Sequence, residues 1–208
     1  MGIARRGFVF ILASPSGAGK TTLSRLLHKG DIGVKLGVSA TTRPRRPSEV
    51  DSVDYFFVSE DEFGALRDEA KLLEWAEVHG YLYGTPVTVV SEYINAGEDV
   101  VLEIDWQGTI QLQQKMPGDV VSVLLLPPSM SELERRLRRR AEDNEGVIKD
   151  RLGNARGDIV EWRRFDYVMV NRELHQTYSE LECILRAERL RRERNVGLDV
   201  FISDLLGQ

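Results

Sequence analysis

The residues best placed to do chemistry lie between Ser14 and Thr22, where Ser-Pro-Ser-Gly-Ala-Gly-Lys-Thr-Thr follows an apolar run from Phe8 to Ala13. Gly17 and Gly19 permit torsions that turn successive N–H groups into one concavity. Leu23, Leu26 and Leu27 then repeat at helical spacing as far as Gly30. Strand, Gly-rich loop and helix are the context of a phosphate-binding loop, with the positive end of the helix dipole aimed at the anion. In that context Lys20 reaches the β- and γ-phosphates and Thr21 offers a hydroxyl to Mg²⁺. The consensus has glycine where this chain has Ser14, a residue that the following proline holds extended. The alternative is an ordinary Gly-rich turn. The motif implies a bound nucleoside triphosphate and leaves open what is done with it.

Three other groupings can carry charge chemistry. Arg43, Arg45 and Arg46, broken by Pro44 and Pro47, make a basic loop near Tyr55. Arginine forks suit phosphate oxygens, and a solvated surface is the other reading. Arg135, Arg136, Arg138, Arg139 and Arg140 crowd one helix, and Arg151 follows on the next. Arg136 and Arg140 are four apart and share a face, while Arg135, Arg138 and Arg139 point to solvent. Closing arginines over a transferring phosphoryl group would stabilise its charge, and a nucleic-acid patch is the rival. Glu103 and Asp105 end an apolar strand, the place where open sheets bind ligands. One could orient water on Mg²⁺, with Glu103 and Thr21 as candidate metal-side residues.

The elements that must hold these groups follow from pattern. After the first strand and helix, residues 34–85 read as a small β-rich insert. It contains Tyr55 to Val58 as a strand and a capping box, Ser59 with Glu62, opening a helix to about Leu73. Short strands flank His79-Gly80. Pro86 stands at the first position of a helix through Val87, Val90 and Ile94. Asp99 to Asp105 is a buried strand, Gly108 to Lys115 a helix, and Val120 to Leu126 another buried strand. Ser129 and Glu132 form a second capping box. Two charged helices with few apolar positions, about residues 129–162, read as a mobile lid. Tyr167 to Asn171 is a last strand and about Gln176 to Arg194 a closing helix. Alternating strands and helices imply a parallel sheet with right-handed crossovers.

Composition narrows the class. At 208 residues, 42% hydrophobic and 29% charged, this is an ordinary globular chain with no repeat. A net charge of −5 argues against general nucleic-acid binding. The one cysteine, Cys183, cannot form an internal disulfide and falls at an apolar helical position, which favours packing and a reducing compartment, the cytoplasm. Arg5-Arg6 before an apolar run imitates a secretory signal, but the run is short and cleavage would destroy the phosphate loop. No stretch approaches the ~20 apolar residues of a membrane span.

Ser14-Pro15-Ser16-Gly17-Ala18-Gly19-Lys20-Thr21, Val38-Ser39-Ala40-Thr41-Thr42-Arg43, Asp54-Tyr55, Leu73-Glu74-Trp75-Ala76, Tyr83-Gly84-Thr85, Ile104-Asp105-Trp106-Gln107-Gly108 and Pro127-Pro128-Ser129 occur in that order. Together they resemble guanylate kinase, over roughly Gly7 to Arg194. The resemblance implies an α/β fold with a P-loop NTPase-type parallel sheet core flanked by helices (residues 1–33, 86–127 and 160–208), a small mixed β-rich GMP-binding insert (34–85) and a helical lid (128–159). It implies transfer of the γ-phosphoryl of ATP to GMP with Mg²⁺. Ser16, Gly17, Ala18, Gly19, Lys20, Thr21, Thr22 and Asn171 would serve ATP. Ser39, Glu74 and Thr85 would read guanine, with Asp105 near the base, while Arg43, Arg46, Tyr55 and Tyr83 would bind the GMP phosphate. Lys20, Arg136, Arg140 and Arg151 would meet the transferred group. Ser14, Ala141 and Arg172 depart from the family pattern. Small-molecule substrates, no nucleic acid, no membrane and a possible homo-oligomer complete the expectation. The rivals are a kinase of the same fold with another acceptor and a non-catalytic phosphopeptide-binding module. A GTPase would need Asn-Lys-x-Asp, which the chain lacks.

Overall fold

The computed structural model describes residues 3–78, 80–139 and 145–207. Its larger sheet is built from β1 (Val9–Ala13), β2 (Val34–Leu36), β7 (Asp99–Leu102), β8 (Val120–Leu126) and β9 (Tyr167–Val170), ordered β2-β7-β1-β8-β9. Every pairing in it is parallel. All five residues of β1 are buried because helices cover both faces. Phe8, Phe10 and Leu12 pack with Leu23 and Leu27 of α1 (Lys20–Gly30) and Leu181 and Leu185 of α7 (Leu174–Arg189). Val9 and Ile11 pack with Val90 and Ile94 of α3 (Val87–Asn95) and Leu112 of α4 (Trp106–Lys115).

The smaller sheet is mixed: β3 (Ala40–Thr41), β4 (Phe56–Phe57), β5 (Leu72–Val78) and β6 (Tyr81–Pro86), ordered β4-β3-β6-β5. Helix α2 (Glu60–Asp68) carries the capping box expected at Ser59 and Glu62, and its Phe63 packs with Ala40 and Leu72. Two further helices, α5 (Met130–Arg139) and α6 (Glu145–Val160), bury Leu133, Leu137, Ile148 and Ala155 between them.

Several expectations are corrected. Val34–Leu36, assigned to the insert, is an edge strand of the parallel sheet. Helix α2 stops at Asp68, because Ala70 turns with φ 54 and Leu72 enters β5. Pro86 ends β6 and caps α3 from outside. The strand after Asp99 ends at Leu102, which leaves Glu103 and Asp105 in the loop where Asp105 caps α4. The second capping box is half made: Ser129 Oγ accepts from the Glu132 N–H, while the Glu132 carboxylate is committed to Arg136. Helix α7 ends at Arg189, and α8 (Leu198–Leu206), which the pattern did not signal, follows. Cys183 is exposed, since Leu181 and Leu185 define the buried face of α7 and position 183 lies nearly opposite.

Candidate active site

The phosphate loop leaves the carboxyl end of β1. Gly17 and Gly19 have φ of 94° and 103°, as their residue type anticipates. A Cβ on Gly19 would also sit 2.5 Å from Nδ2 of Asn171. That Nδ2 donates to the Ala18 carbonyl at 2.8 Å, and the Asn171 Oδ1 accepts from Thr177 at 3.1 Å. Asn171 is buried, both ends of its amide are in use, and it braces the loop from below while lining the cleft. Thr21 Oγ1 donates to Glu103 Oε2 at 2.6 Å, and Ser24 donates to the other oxygen of the same carboxylate. A hydroxyl and a carboxylate thus meet where the loop enters α1.

The second centre stands on the mixed sheet. Ser39, just before β3, Glu74 on β5 and Thr85 on β6 are all buried. Thr85 Oγ1 donates to Glu74 Oε1 at 2.6 Å. With that proton spent, Ser39 is the donor in the 3.2 Å contact between the two hydroxyls, giving a relay that ends on the carboxylate. Burial pushes the Glu74 carboxyl up to about 7, with the Thr85 hydroxyl opposing and Asp105 adding to the rise. Asp105 Oδ1 accepts from the Gly108 N–H at 2.9 Å as the cap of α4.

Beside this pocket lies the basic loop. Arg43 donates from Nε to the Tyr83 hydroxyl at 3.2 Å and from Nη2 to Glu49 at 2.7 Å. Its guanidinium carbon is 5.5 Å from the Tyr55 ring centre. Arg46 reaches the same Glu49 carboxylate at 3.6 Å. Burial alone would raise the Glu49 carboxyl, but the bond from Arg43 and those following it hold it below the usual range. Burial, with Glu103 next, pushes the Tyr55 phenol up to about 12, so it stays a donor at any physiological pH.

From the lid, Arg136 donates to Glu132 at 2.8 Å and to the Asn171 carbonyl at 3.2 Å. Arg151 reaches Ser16 Oγ in the phosphate loop at 3.3 Å. Arg140 and Ala141 lie outside the described residues. Arg139 is exposed, as expected, at the edge of the cleft.

The phosphate loop, the insert and the lid open onto one cleft of about 1570 Å³. Of the expected residues, Ser16, Gly17, Gly19, Lys20, Thr21, Thr22, Ser39, Arg43, Arg46, Tyr55, Glu74, Tyr83, Glu103, Asp105, Arg136, Arg151 and Asn171 line it. Thr85 is behind Glu74, and Ala18 is behind the loop, offering its carbonyl to Asn171. Glu49, Ser24 and Asp158 were not anticipated. Burial, then repulsion from Asp105, lifts the Asp158 carboxyl to about 6 against the pull of Lys20. A signal for it existed: Asp158 is seven residues after Arg151, hence on the same face of α6.

The family model for guanylate kinase matches residues 6–188. The chain belongs to the guanylate kinase family. It is 53% identical over 204 residues to the guanylate kinase of Rhizobium etli, covering 98% of this chain and 93% of that one. The guanylate kinase of Nitrobacter winogradskyi is 51% identical over 207 residues, covering 100% and 94%. The crystal structure of guanylate kinase from Anaplasma phagocytophilum superposes with a TM-score of 0.83 at 34% identity, covering 97% and 96% of the two chains. The five-stranded parallel sheet flanked by helices and the mixed sheet seen here are thus a guanylate kinase architecture. Among the described residues no helix is long and apolar enough to cross a membrane.

Proposed function

We propose that this chain transfers the γ-phosphoryl group of ATP to GMP, giving ADP and GDP. The observation that carries the reading is one cleft joining a triphosphate loop to a buried carboxylate–hydroxyl relay on a separate sheet. Guanine presents adjacent N1–H and N2–H donors, which one ionised carboxylate accepts together. Glu74 takes them, braced from behind by Thr85, Ser39 sits towards O6, and Asp105 stands near the base. Arg43, Arg46, Tyr55 and Tyr83 hold the GMP phosphate, for which Arg43 and Arg46 exchange Glu49.

No covalent intermediate is needed, so the chain's work is positioning two anions in line and neutralising them. Lys20 and the N–H groups of the phosphate loop hold the β- and γ-phosphates. Arg136 and Arg151 already approach that loop and stabilise the charge of the transferring group. The Thr21 hydroxyl and Glu103 are hard oxygen donors of the kind Mg²⁺ takes and would hold it there, Glu103 through water. When bound, Mg²⁺ draws charge from the β- and γ-oxygens. A phosphopeptide-binding module would not require lysine and two arginines converging on a triphosphate loop. A single exposed, free thiol at Cys183 fits a cytoplasmic enzyme.

Phosphorus NMR of the protein with ATP, GMP and Mg²⁺ tests this. The ATP γ-signal should fall as ADP and GDP β-signals grow together. Loss of the γ-signal to inorganic phosphate, with no GDP, would overturn the reading.

A further inference from the structure

The sheet that carries Glu74 leans on the first turn of α4, and one contact there is closer than any side chain allows. We infer that Gly108 fixes the position of the Glu74 carboxylate and thereby the choice of base, an inference that rests on Glu74 reading guanine. A Cβ on Gly108 would lie 2.4 Å from Glu74 Oε2, 3.0 Å from its Cδ and 3.3 Å from Ile104 Cδ1. Oε2 ends a flexible side chain, so a Cβ there would turn the carboxylate away towards the cleft. Glu74 is 2% exposed, and its other oxygen is tied to Thr85 at 2.6 Å.

The backbone itself does not ask for glycine. Gly108 is not among the residues with positive φ, and it stands inside a regular helix three residues after the Asp105 cap. There alanine is the better helix former. The demand comes from the neighbour alone. Glycine lets the carboxylate lie flat against the positive end of α4, where the helix field offsets part of the Asp105 charge. Its oxygens are then held for a donor pair on the cleft side. The link reaches back into the core. Gln111, one helical turn on, accepts from the Trp75 N–H at 3.2 Å and donates to the Trp75 carbonyl at 2.7 Å, while Lys115 donates to the Leu73 carbonyl at 2.6 Å. Helix α4 thus clamps β5 on both sides of Glu74, and Gly108 marks where the clamp closes on the side chain.

The test is steady-state kinetics of Gly108→Ala with GMP, AMP and ATP, beside thermal unfolding. The expected result is a fall of at least ~10-fold in kcat/KM for GMP, mostly through KM, with the GMP/AMP ratio reduced. KM for ATP should stay within about twofold, because the phosphate loop is untouched. Glu74→Asp shortens the side chain and vacates the contested place. In the Gly108→Ala background it should therefore cost less than in the parent protein, and restore stability if the single variant is poorly folded. Strict additivity of the two substitutions, or a folding loss that Glu74→Asp leaves unchanged, would overturn the inference. Glu74→Gln separates the two levels. If it lowers the GMP/AMP ratio and Gly108→Ala does not, the role of Gly108 fails while base reading by Glu74 stands. If Glu74→Gln leaves the ratio unchanged, base reading fails and the inference with it.

Discussion

At Glu74 stability and recognition make opposite demands on one proton. Burial holds its carboxyl near 7, whereas guanine's donors require the ionised form. KM for GMP should therefore rise as pH falls below about 7, approaching tenfold per unit, and Glu74→Gln should lose that limb of the profile. Without ligand the sign reverses. A carboxyl raised from 4.5 to about 7 gives stability that is complete below the lower value and is lost as pH rises through the upper one. Glu74→Gln should thus unfold later than the parent at alkaline pH, by on the order of 1–3 kcal/mol in urea titrations, while losing kcat/KM for GMP by about 10- to 150-fold. Lys20 and Thr21 could be read from sequence because a phosphate loop needs them contiguous. Glu49 could not, since it lies in irregular loop and its partner Arg43 is fixed by the fold, whereas Asp158 left only its helical spacing from Arg151 as a signal. Cys183 shows the opposite error, an apolar residue type on a polar helix face.

Among the elements, the phosphate loop acts mainly once charge moves towards the transferring group. Lys20→Ala should cut kcat by at least ~10²-fold with a smaller change in KM for GMP, as steady-state assays will show. The lid helices are more structured than their charge suggests. Leu133, Leu137, Ile148 and Ala155 form a small core of their own, and Leu137 lies 3.1 Å from where a Gly17 side chain would begin. Leu133→Ala should cost on the order of 2–5 kcal/mol in urea unfolding. A change below 0.5 kcal/mol would mean the lid unfolds separately from the rest. The alternation of strand and helix made the core legible in outline. Ends were less so: α2 stops five residues early because β5 needs Leu72 and Leu73 for two different cores, a tertiary demand that local pattern does not carry.

For the whole molecule, the arginines are held by internal carboxylates that the substrates must replace. Arg43 and Arg46 rest on Glu49, and Arg136 rests on Glu132. These pairs are partly buried, so each carboxylate keeps its guanidinium in place until a phosphate of greater charge takes over the same fork. The lid and the Arg43–Arg46 loop should close only when ATP and GMP are both present, because each arginine set gains its anion then. Small-angle scattering should show the radius of gyration contract with both nucleotides saturating, and an unchanged value would count against closure. The most direct test of the account is kcat/KM for GMP, AMP, CMP and UMP in turn as acceptors at saturating ATP, followed by ADP release. A site built on the Glu74 relay should prefer GMP over AMP by as much as ~10⁴–10⁵. Rates for GMP and AMP within tenfold of each other would contradict it.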